Sequence, residues 1–377
     1  MKTCILLLMT VLATLNATEL EVTKPFTLPM EVMSRYMTMD AESYGLLLLG
    51  YSEYPSSNGF RPNAVLLDRH MEMKSELILK DRLGGTVNSV LLLPGGGFLL
   101  TCLVNERSLD TTEAAVMVSA GGRTVWSTPI PGEVFRGARP LLACADGGFL
   151  VGGSLEAASF YMRTAWVAKL SPEGDIQWTY TYDTGIENCG SNFNVVLEVG
   201  DGYILAGASE DGEGLRNALV MKLDPLGDEV WRRSHGGEGF SDFACAAEVP
   251  GGFAFGGTDS EYDPRGSVVR TDSLGRELWS YSIDTGEELN YVTGIAVSTD
   301  GVIVTAGYRW GDPNVSVLEV LDPEGDVIDH LEFPVAETGL FLEIIEDDGS
   351  MEVIGEYRCD STETTSWYAH ELDLQLE

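Results

Sequence analysis

One short pattern recurs along almost the whole chain: a glycine followed by a run of apolar residues. It occurs at seven positions that lie 48 to 54 residues apart, namely Gly45, Gly97, Gly148, Gly202, Gly252, Gly301 and Gly349. A fixed period of this length is typical of repeat architectures, in which each supersecondary unit buries its apolar faces against its neighbours. The sequence therefore predicts seven structural units.

Each unit has the pattern of four short strands. The unit around Gly202 predicts strands over residues 192–199, 202–207, 217–223 and 228–234. The turn DPLG joins the last two strands, because proline presets φ at the second turn position and glycine tolerates a left-handed backbone. The segment KLDPLGDEVW at 222–231 closely repeats KLSPEGDIQW at 169–178. We interpret it as the end of a third strand, a tight turn and the start of a fourth strand.

Four antiparallel strands per unit predict an all-β fold, a seven-bladed β-propeller. A single four-stranded sheet cannot bury both of its faces, whereas sheets arranged radially cover one another and leave no long exposed edge. Four tryptophans open the fourth strand of four units: Trp126, Trp178, Trp231 and Trp279. We expect them to fill the space between neighbouring blades.

The ends of the chain predict how the ring closes. The seventh unit provides strands at 338–345, 349–357 and 366–374, and is then one strand short. A surplus strand, ELEVTKPFTL at 19–28, precedes the first unit. We predict that this N-terminal strand completes the last blade, so that residues 18–377 form a single propeller domain.

Residues 1–17 have the pattern of a secretory signal peptide. Lys2 is followed by an apolar stretch of about 12 residues, and Leu15-Asn16-Ala17 is a suitable cleavage site. The stretch is too short to span a membrane. We predict export without membrane insertion or a lipid anchor, to a secreted, periplasmic or cell-surface location.

Charge and cysteine content restrict the partners further. The formal net charge is −36, which repels phosphate backbones and argues against nucleic-acid binding. After removal of the signal peptide five cysteines remain: Cys102, Cys144, Cys189, Cys245 and Cys359. No CxxC motif occurs, so the sequence predicts no zinc site, and most of these thiols are expected to be buried on strands. We also expect a monomer.

The repeat resembles that of known families. The pattern G-G-[FY]…A-x-V-x-K-L-D-x-x-G-x-x-x-W, and especially RRSHGGEGFSDFACAAEVPGGFAFGG at 232–257, resembles secreted bacterial β-propeller repeat proteins. That resemblance implies an architecture and no assigned activity. The turn-plus-tryptophan segment is also similar to repeats of quinoprotein dehydrogenase (PQQ-like) propellers, which implies a site for pyrroloquinoline quinone with Ca²⁺. Those propellers commonly have eight blades and often an adjacent Cys-Cys pair, whereas this chain has seven units and no such pair. We therefore predict no cofactor.

Function is expected on the face that carries the long, dissimilar connections, since loops on a rigid scaffold are the usual binding sites. Five acidic residues of two inter-blade loops are the candidate site at the mouth of the central channel: Asp183, Glu187, Asp284, Glu287 and Glu288. We predict a non-enzymatic binding scaffold for an extracellular glycan or protein, with no catalytic or metal-binding residues. The alternatives are a quinone-dependent dehydrogenase, a carbohydrate-active hydrolase or lyase using paired carboxylates, and an extracellular structural module.

Overall fold

The structure is a computed structural model. It describes residues 18–22, 26–27, 39–40, 45–53, 60–67, 73–78, 87–93, 97–105, 111–130, 133–134, 140–156, 163–186, 189–213, 215–236, 239, 241–259, 265–283, 289–298, 300–310, 315–334, 339–347, 350–359 and 364–374. These residues form 30 strands and no helix. The predicted signal peptide, residues 1–17, lies outside them.

The strands form antiparallel sheets that follow the sequence units. The first sheet contains β3 (Met39–Asp40), β4 (Gly45–Glu53), β5 (Phe60–Leu67) and β6 (Met73–Ile78). The second contains β7 (Val87–Leu92), β8 (Phe98–Asn105), β9 (Thr111–Val118) and β10 (Thr124–Pro129). The third contains β11 (Glu133–Val134), β12 (Leu141–Ala143), β13 (Phe149–Glu156), β14 (Arg163–Leu170) and β15 (Ile176–Tyr182).

The remaining sheets continue in the same order. The fourth contains β16 (Ser191–Val199), β17 (Gly202–Glu210), β18 (Arg216–Leu223) and β19 (Glu229–His235). The fifth contains β20 (Asp242–Val249), β21 (Gly252–Asp259), β22 (Arg265–Asp272) and β23 (Glu277–Ser282). The sixth contains β24 (Leu289–Val297), β25 (Ile303–Trp310), β26 (Val315–Leu321) and β27 (Val327–Pro334). The last contains β28 (Gly339–Asp347), β29 (Ser350–Cys359), β30 (Thr364–Leu374), β1 (Thr18–Val22) and β2 (Phe26–Thr27).

The prediction of four strands in every unit is correct for five sheets and wrong for two, which have five. In the third sheet the first strand is divided, and β11 and β12 both pair with β13. Pro140, which cannot donate a ladder hydrogen bond, precedes β12 and accepts one from the Gly152 amide at 2.9 Å. In the last sheet the N-terminal segment contributes two short strands instead of one.

The predicted pairing of the N-terminal segment with the last unit is present. Strand β1 pairs antiparallel with β30, and the register places Thr18 opposite Leu374 and Val22 opposite His370. Strand β2 places Phe26 opposite Trp367 of the same strand. The first and last parts of the chain therefore share one sheet.

The apolar core lies between successive sheets. Leu150 and Val167 of the third sheet belong to one cluster with Phe193, Leu205 and Met221 of the fourth sheet. All five are at most 2% exposed, because they lie between the packed faces of the two sheets. Equivalent clusters join the fourth sheet to the fifth and the fifth to the sixth.

The repeated decapeptide also connects neighbouring sheets. Gly227 has a φ of 88° in the turn that precedes β19. A Cβ atom at this position would lie 2.6 Å from Cδ2 of Trp178, so the indole ring of the third sheet lies directly on the glycine of the fourth. The indole Nε1 of Trp178 donates a hydrogen bond to the carbonyl of Pro225 at 3.2 Å. The tryptophan of one decapeptide thus packs on the glycine of the next decapeptide and donates a hydrogen bond to its proline carbonyl.

The other tryptophans repeat this contact. Trp126 and Trp279 donate to Pro172 and Pro323 at 3.1 and 3.0 Å. Trp231 lies on Gly275, although the turn that contains Gly275 has Ser273 in place of proline. The prediction that the tryptophans fill the space between units is confirmed.

The thiols follow the sequence prediction only in part: of the four described cysteines, Cys102 and Cys144 are buried, and Cys102 and Cys245 lie on strands. Cys102, Cys144, Cys189 and Cys245 are free cysteines. Burial raises the pKa of Cys102 and Cys245 to about 12, and that of Cys144 to about 11. These three thiols are therefore protonated and unreactive at neutral pH.

Candidate binding face

The two ends of the sheets differ in their connections. At one end, which we call the turn face, the third and fourth strands are joined by near-identical turns at 171–175, 224–228, 272–276 and 322–326. In each turn the glycine amide donates to the first residue's carbonyl at 2.9–3.0 Å. At the other end, the loop face, the second strand connects to the third and the fourth strand leads to the next sheet. The loop-face connections differ in length and sequence.

The loop face has an uneven charge. Its connections from residue 183 onward are 183–190, 211–215, 236–241, 260–264, 284–288, 311–314, 335–338 and 360–363; we call them the acidic loops. They contain fourteen acidic residues and no lysine or arginine. The earlier connections, 54–59, 79–86, 106–110, 131–140 and 157–162, contain four acidic and five basic residues. One half of the loop face is therefore strongly negative and the other half is close to neutral.

The five candidate acids of the sequence analysis all belong to the acidic loops. Asp183 is exposed directly after β15, and its Oδ1 accepts a hydrogen bond from the Gly185 amide at 2.9 Å. It therefore lies beside the fourth strand of its sheet, at the opposite edge from the first strand. Glu187, Asp284, Glu287 and Glu288 lie outside the described residues, so their convergence at a channel mouth stays a prediction.

A polar cluster that the sequence did not predict joins the fourth and fifth sheets at the loop face. We call Asn192, Asn194, Glu210, Arg216 and Asp242 the Arg216 cluster. Arg216 Nη2 donates to Oδ2 of Asp242 at 2.8 Å and also to Oδ1 of Asn192. Asn194 Nδ2 donates to Oδ1 of Asp242 at 2.8 Å, and Asn192 Nδ2 donates to Oδ1 of Asn194 at 2.7 Å.

Local strand geometry places these side chains. The register of β16 skips Asn194 between Phe193 and Val195, so this residue is the extra residue of a β-bulge. Its Nδ2 bonds to the carbonyl of Phe243 in the next sheet at 2.8 Å. Strand β20 has a bulge at the equivalent position, after Phe243. The first strands of the two sheets are thus held together where they meet the loop face.

The electrostatics of the Arg216 cluster are nearly balanced. Burial raises the pKa of Asp242 above its usual value, and the charge and hydrogen bonds of Arg216 oppose that shift. Arg216 Nη1 also lies 3.6 Å from Oε1 of Glu210. The guanidinium is thus neutralised by two carboxylates and does not offset the charge of the acidic loops.

Two acidic loops are held together beside this cluster. Oε2 of Glu210 accepts a hydrogen bond from the Gly190 amide at 2.8 Å, and the Cys189 thiol donates to the Asp211 carbonyl at 2.9 Å. The Asp211 carboxylate accepts from the amides of Glu213 and Leu215 at 2.9 and 3.0 Å. These hydrogen bonds join the described parts of loops 183–190 and 211–215, and the side chain of Glu213 is exposed to solvent.

The structure is similar to solved structures of very different sequence. The WD40 domain from Toxoplasma gondii coronin is 11% identical with a TM-score of 0.59, and the match covers 96% of this chain and 87% of that one. Polysaccharide lyase Uly1 is 9% identical with a TM-score of 0.57, covering 92% and 91%. Drosophila Semaphorin 2a is 8% identical with a TM-score of 0.55, covering 93% and 75%.

These similarities show the fold alone. WD40 repeats form β-propellers, and together with the sheets described above this defines the chain as a β-propeller protein. No protein-family model and no curated protein sequence matches it. The resemblance to secreted bacterial repeat proteins and to quinoprotein repeats therefore stays a prediction.

Two further findings concern the described residues only. They contain no group of three or more His, Cys, Asp or Glu side chains arranged to hold a metal ion. The same residues also include no helix with the length and apolarity needed to cross a membrane.

Proposed function

We propose that the protein is an exported, monomeric propeller of seven blades that binds a basic protein partner on the acidic loops. The seven sheets and the pairing of β1 with β30 support a closed ring. In such a ring the acidic loops lie side by side over one half of the loop face. The predicted signal peptide supports export.

The observation that carries this proposal is the absence of any basic residue from eight successive loop-face connections that contain fourteen acids. Carboxylates at this density favour a partner with the opposite charge, which gives specificity and speeds association. The hydrogen bonds that join the described parts of loops 183–190 and 211–215 lower the entropic cost of binding there.

The charge also discriminates among the other candidate ligands. Anionic glycans are repelled by this surface, and neutral glycans gain nothing from its charge. The hydrolase, lyase and dehydrogenase alternatives stay hypotheses, because the described part of the loop face provides no observation that favours them. The same holds for a purely structural module.

The test compares two triple variants with the same change in net charge. Asp183→Asn/Asp211→Asn/Glu213→Gln removes three charges from the loop face, and asparagine can still accept the loop hydrogen bonds of Asp183 and Asp211. Glu173→Gln/Asp175→Asn/Asp300→Asn removes three exposed charges from the turn face, outside any proposed binding surface. With hexalysine as the probe at about 0.1 M salt, where the Debye length is about 10 Å, we expect the loop-face variant to raise Kd at least about fivefold. The turn-side variant should raise it less than about twofold, because its charges lie more than a Debye length from the loop face. Equal effects of the two variants would mean that net charge alone attracts the probe.

A further inference from the structure

The outer strands share a β-bulge that turns one side chain outward. In each of six sheets the register of the fourth strand skips a single residue: Lys74, Val125, Gln177, Val230, Leu278 and Ile328. Four of these residues are aliphatic, and they are 61%, 56%, 59% and 49% exposed, in chain order. Gln177 shows that the same position accepts a polar residue, so the fold does not require an aliphatic side chain there.

Further exposed aliphatic residues lie in or beside the adjoining turns. Leu226 is 75% exposed, Leu274 is 47% exposed and Val327 is 43% exposed. The turns of the third and sixth sheets have Glu173 and Glu324 where Leu226 and Leu274 stand, so a polar residue fits this position as well. We call Leu226, Val230, Leu274, Leu278, Val327 and Ile328 the apolar rim.

The sheets that carry the apolar rim contact one another. A Cβ atom on Gly275 would lie 2.5 Å from Cζ3 of Trp231, so the neighbouring Leu274 lies beside the strand that carries Val230. Likewise a Cβ atom on Gly325 would lie 2.8 Å from Cδ2 of Trp279. That contact brings the strand of Leu278 against the turn that leads to Val327. The apolar rim therefore crosses two boundaries between sheets.

The charges around the apolar rim indicate what kind of partner surface would complement it. Exposed carboxylates accompany the aliphatic residues on all three sheets: Asp228, Glu229, Glu277, Glu324 and Asp326. Two of the arginines nearby are paired with carboxylates, since Arg232 lies 3.5 Å from Glu229 and Arg276 lies 2.6 Å from Asp272. A third, Arg233, lies over the Trp231 ring and donates to the carbonyl of Arg232 at 2.7 Å. A surface that is aliphatic and negatively charged complements one that is aliphatic and basic. A second copy of this chain, with a net charge of −36, is disfavoured by repulsion.

We propose that the apolar rim of the fourth to sixth sheets is a docking surface for a basic amphipathic segment of a partner protein. This surface is separate from the acidic loops and lies toward the turn face. Burial of the aliphatic side chains supplies the attraction, and the neighbouring carboxylates select basic residues around the apolar contact.

The test replaces aliphatic residues of the apolar rim with glutamine, which the protein already has at an equivalent position. Val230→Gln/Leu278→Gln/Ile328→Gln copies Gln177 at three equivalent positions, so we expect its midpoint of thermal unfolding to stay close to that of the wild type. The probes are a synthetic amphipathic leucine–lysine helix and a serine–lysine peptide of equal charge. We expect the triple variant to weaken binding of the leucine–lysine helix by about tenfold or more, through lost apolar burial. It should leave binding of the serine–lysine peptide unchanged.

Two results would overturn the proposal. One is equal affinity of the wild type and the triple variant for the leucine–lysine helix. The other is a wild-type dimer, seen by sedimentation, that the three glutamines dissociate, because the occupant would then be a second copy. The loop-face variant Asp183→Asn/Asp211→Asn/Glu213→Gln tests whether the two sites are independent. The variant should still bind the leucine–lysine helix more tightly than the serine–lysine peptide. That result is expected even if the acidic loops prove not to bind a partner.

Discussion

Replacing Gly227 with alanine should lower the free energy of unfolding by about 3 kcal/mol, as the sum of two effects. The first is the left-handed backbone, with a φ of 88°, which costs an L-residue about 1–2 kcal/mol. The second is the new Cβ atom, which would lie 2.6 Å from the indole ring of Trp178 and force the ring off its hydrogen bond to Pro225. Overpacking of this kind typically costs about 1–3 kcal/mol. Urea unfolding measures the total.

Two other glycines separate the two effects. Gly251 has a φ of 80° but no atom within 4 Å of a Cβ position, so Gly251→Ala should show the backbone effect alone. Gly200 has neither feature, and Gly200→Ala should change stability by less than about 0.5 kcal/mol. If Gly227→Ala is no more destabilising than Gly251→Ala, the contact between tryptophan and glycine does not hold neighbouring units together.

Arg216→Met should destabilise the protein by about 2–3 kcal/mol at neutral pH, because it leaves the Asp242 carboxylate without its cation. We place the loss at the low end of the range for buried ion pairs, since the side chain of Asp242 is 21% exposed. The pKa of Asp242 is already raised by burial, and loss of Arg216 raises it further. A folded-state pKa above the unfolded value means that the ionised form destabilises the fold. The difference in free energy of unfolding between the wild type and Arg216→Met should therefore become smaller as the pH falls from the folded-state pKa of Asp242 toward its unfolded-state pKa.

The control is Asp242→Asn in the Arg216→Met background. Asparagine is neutral and can still accept the hydrogen bond from Asn194. The double variant should therefore be more stable than Arg216→Met alone at neutral pH, and its stability should depend less on pH. Additive losses of the two substitutions would show that Arg216 and Asp242 do not act as a pair.

The repeat period made most of the strands predictable. Strands 192–199 and 202–207 were predicted close to the observed Ser191–Val199 and Gly202–Glu210, because the glycine and turn residues mark their ends. The divided first strand of the third unit was not predicted, since strand pattern alone does not show that β11 and β12 pair with one neighbour.

The Arg216 cluster was not predictable from any single motif. Its members come from two first strands and the ends of one loop, and only the packing of the fourth sheet against the fifth brings them together. One signal was present: Asn192 and Asp242 both stand directly before a phenylalanine, one repeat period apart.

The apolar rim was not predictable from the sequence for a different reason. Alternation assigns side chains to faces with a period of two, and a bulge shifts that assignment at residues such as Val230.

Hydrogen–deuterium exchange with hexalysine tests most directly the claim that the acidic loops bind a basic partner. The hydrogen bonds around residues 183–190 and 211–215 should open less often when the acidic loops are occupied. We expect slower exchange in these two loops in the presence of the peptide and unchanged exchange in the turns at 171–175 and 224–228. Slower exchange confined to the turns, or none in the loops at saturating peptide, would contradict the account.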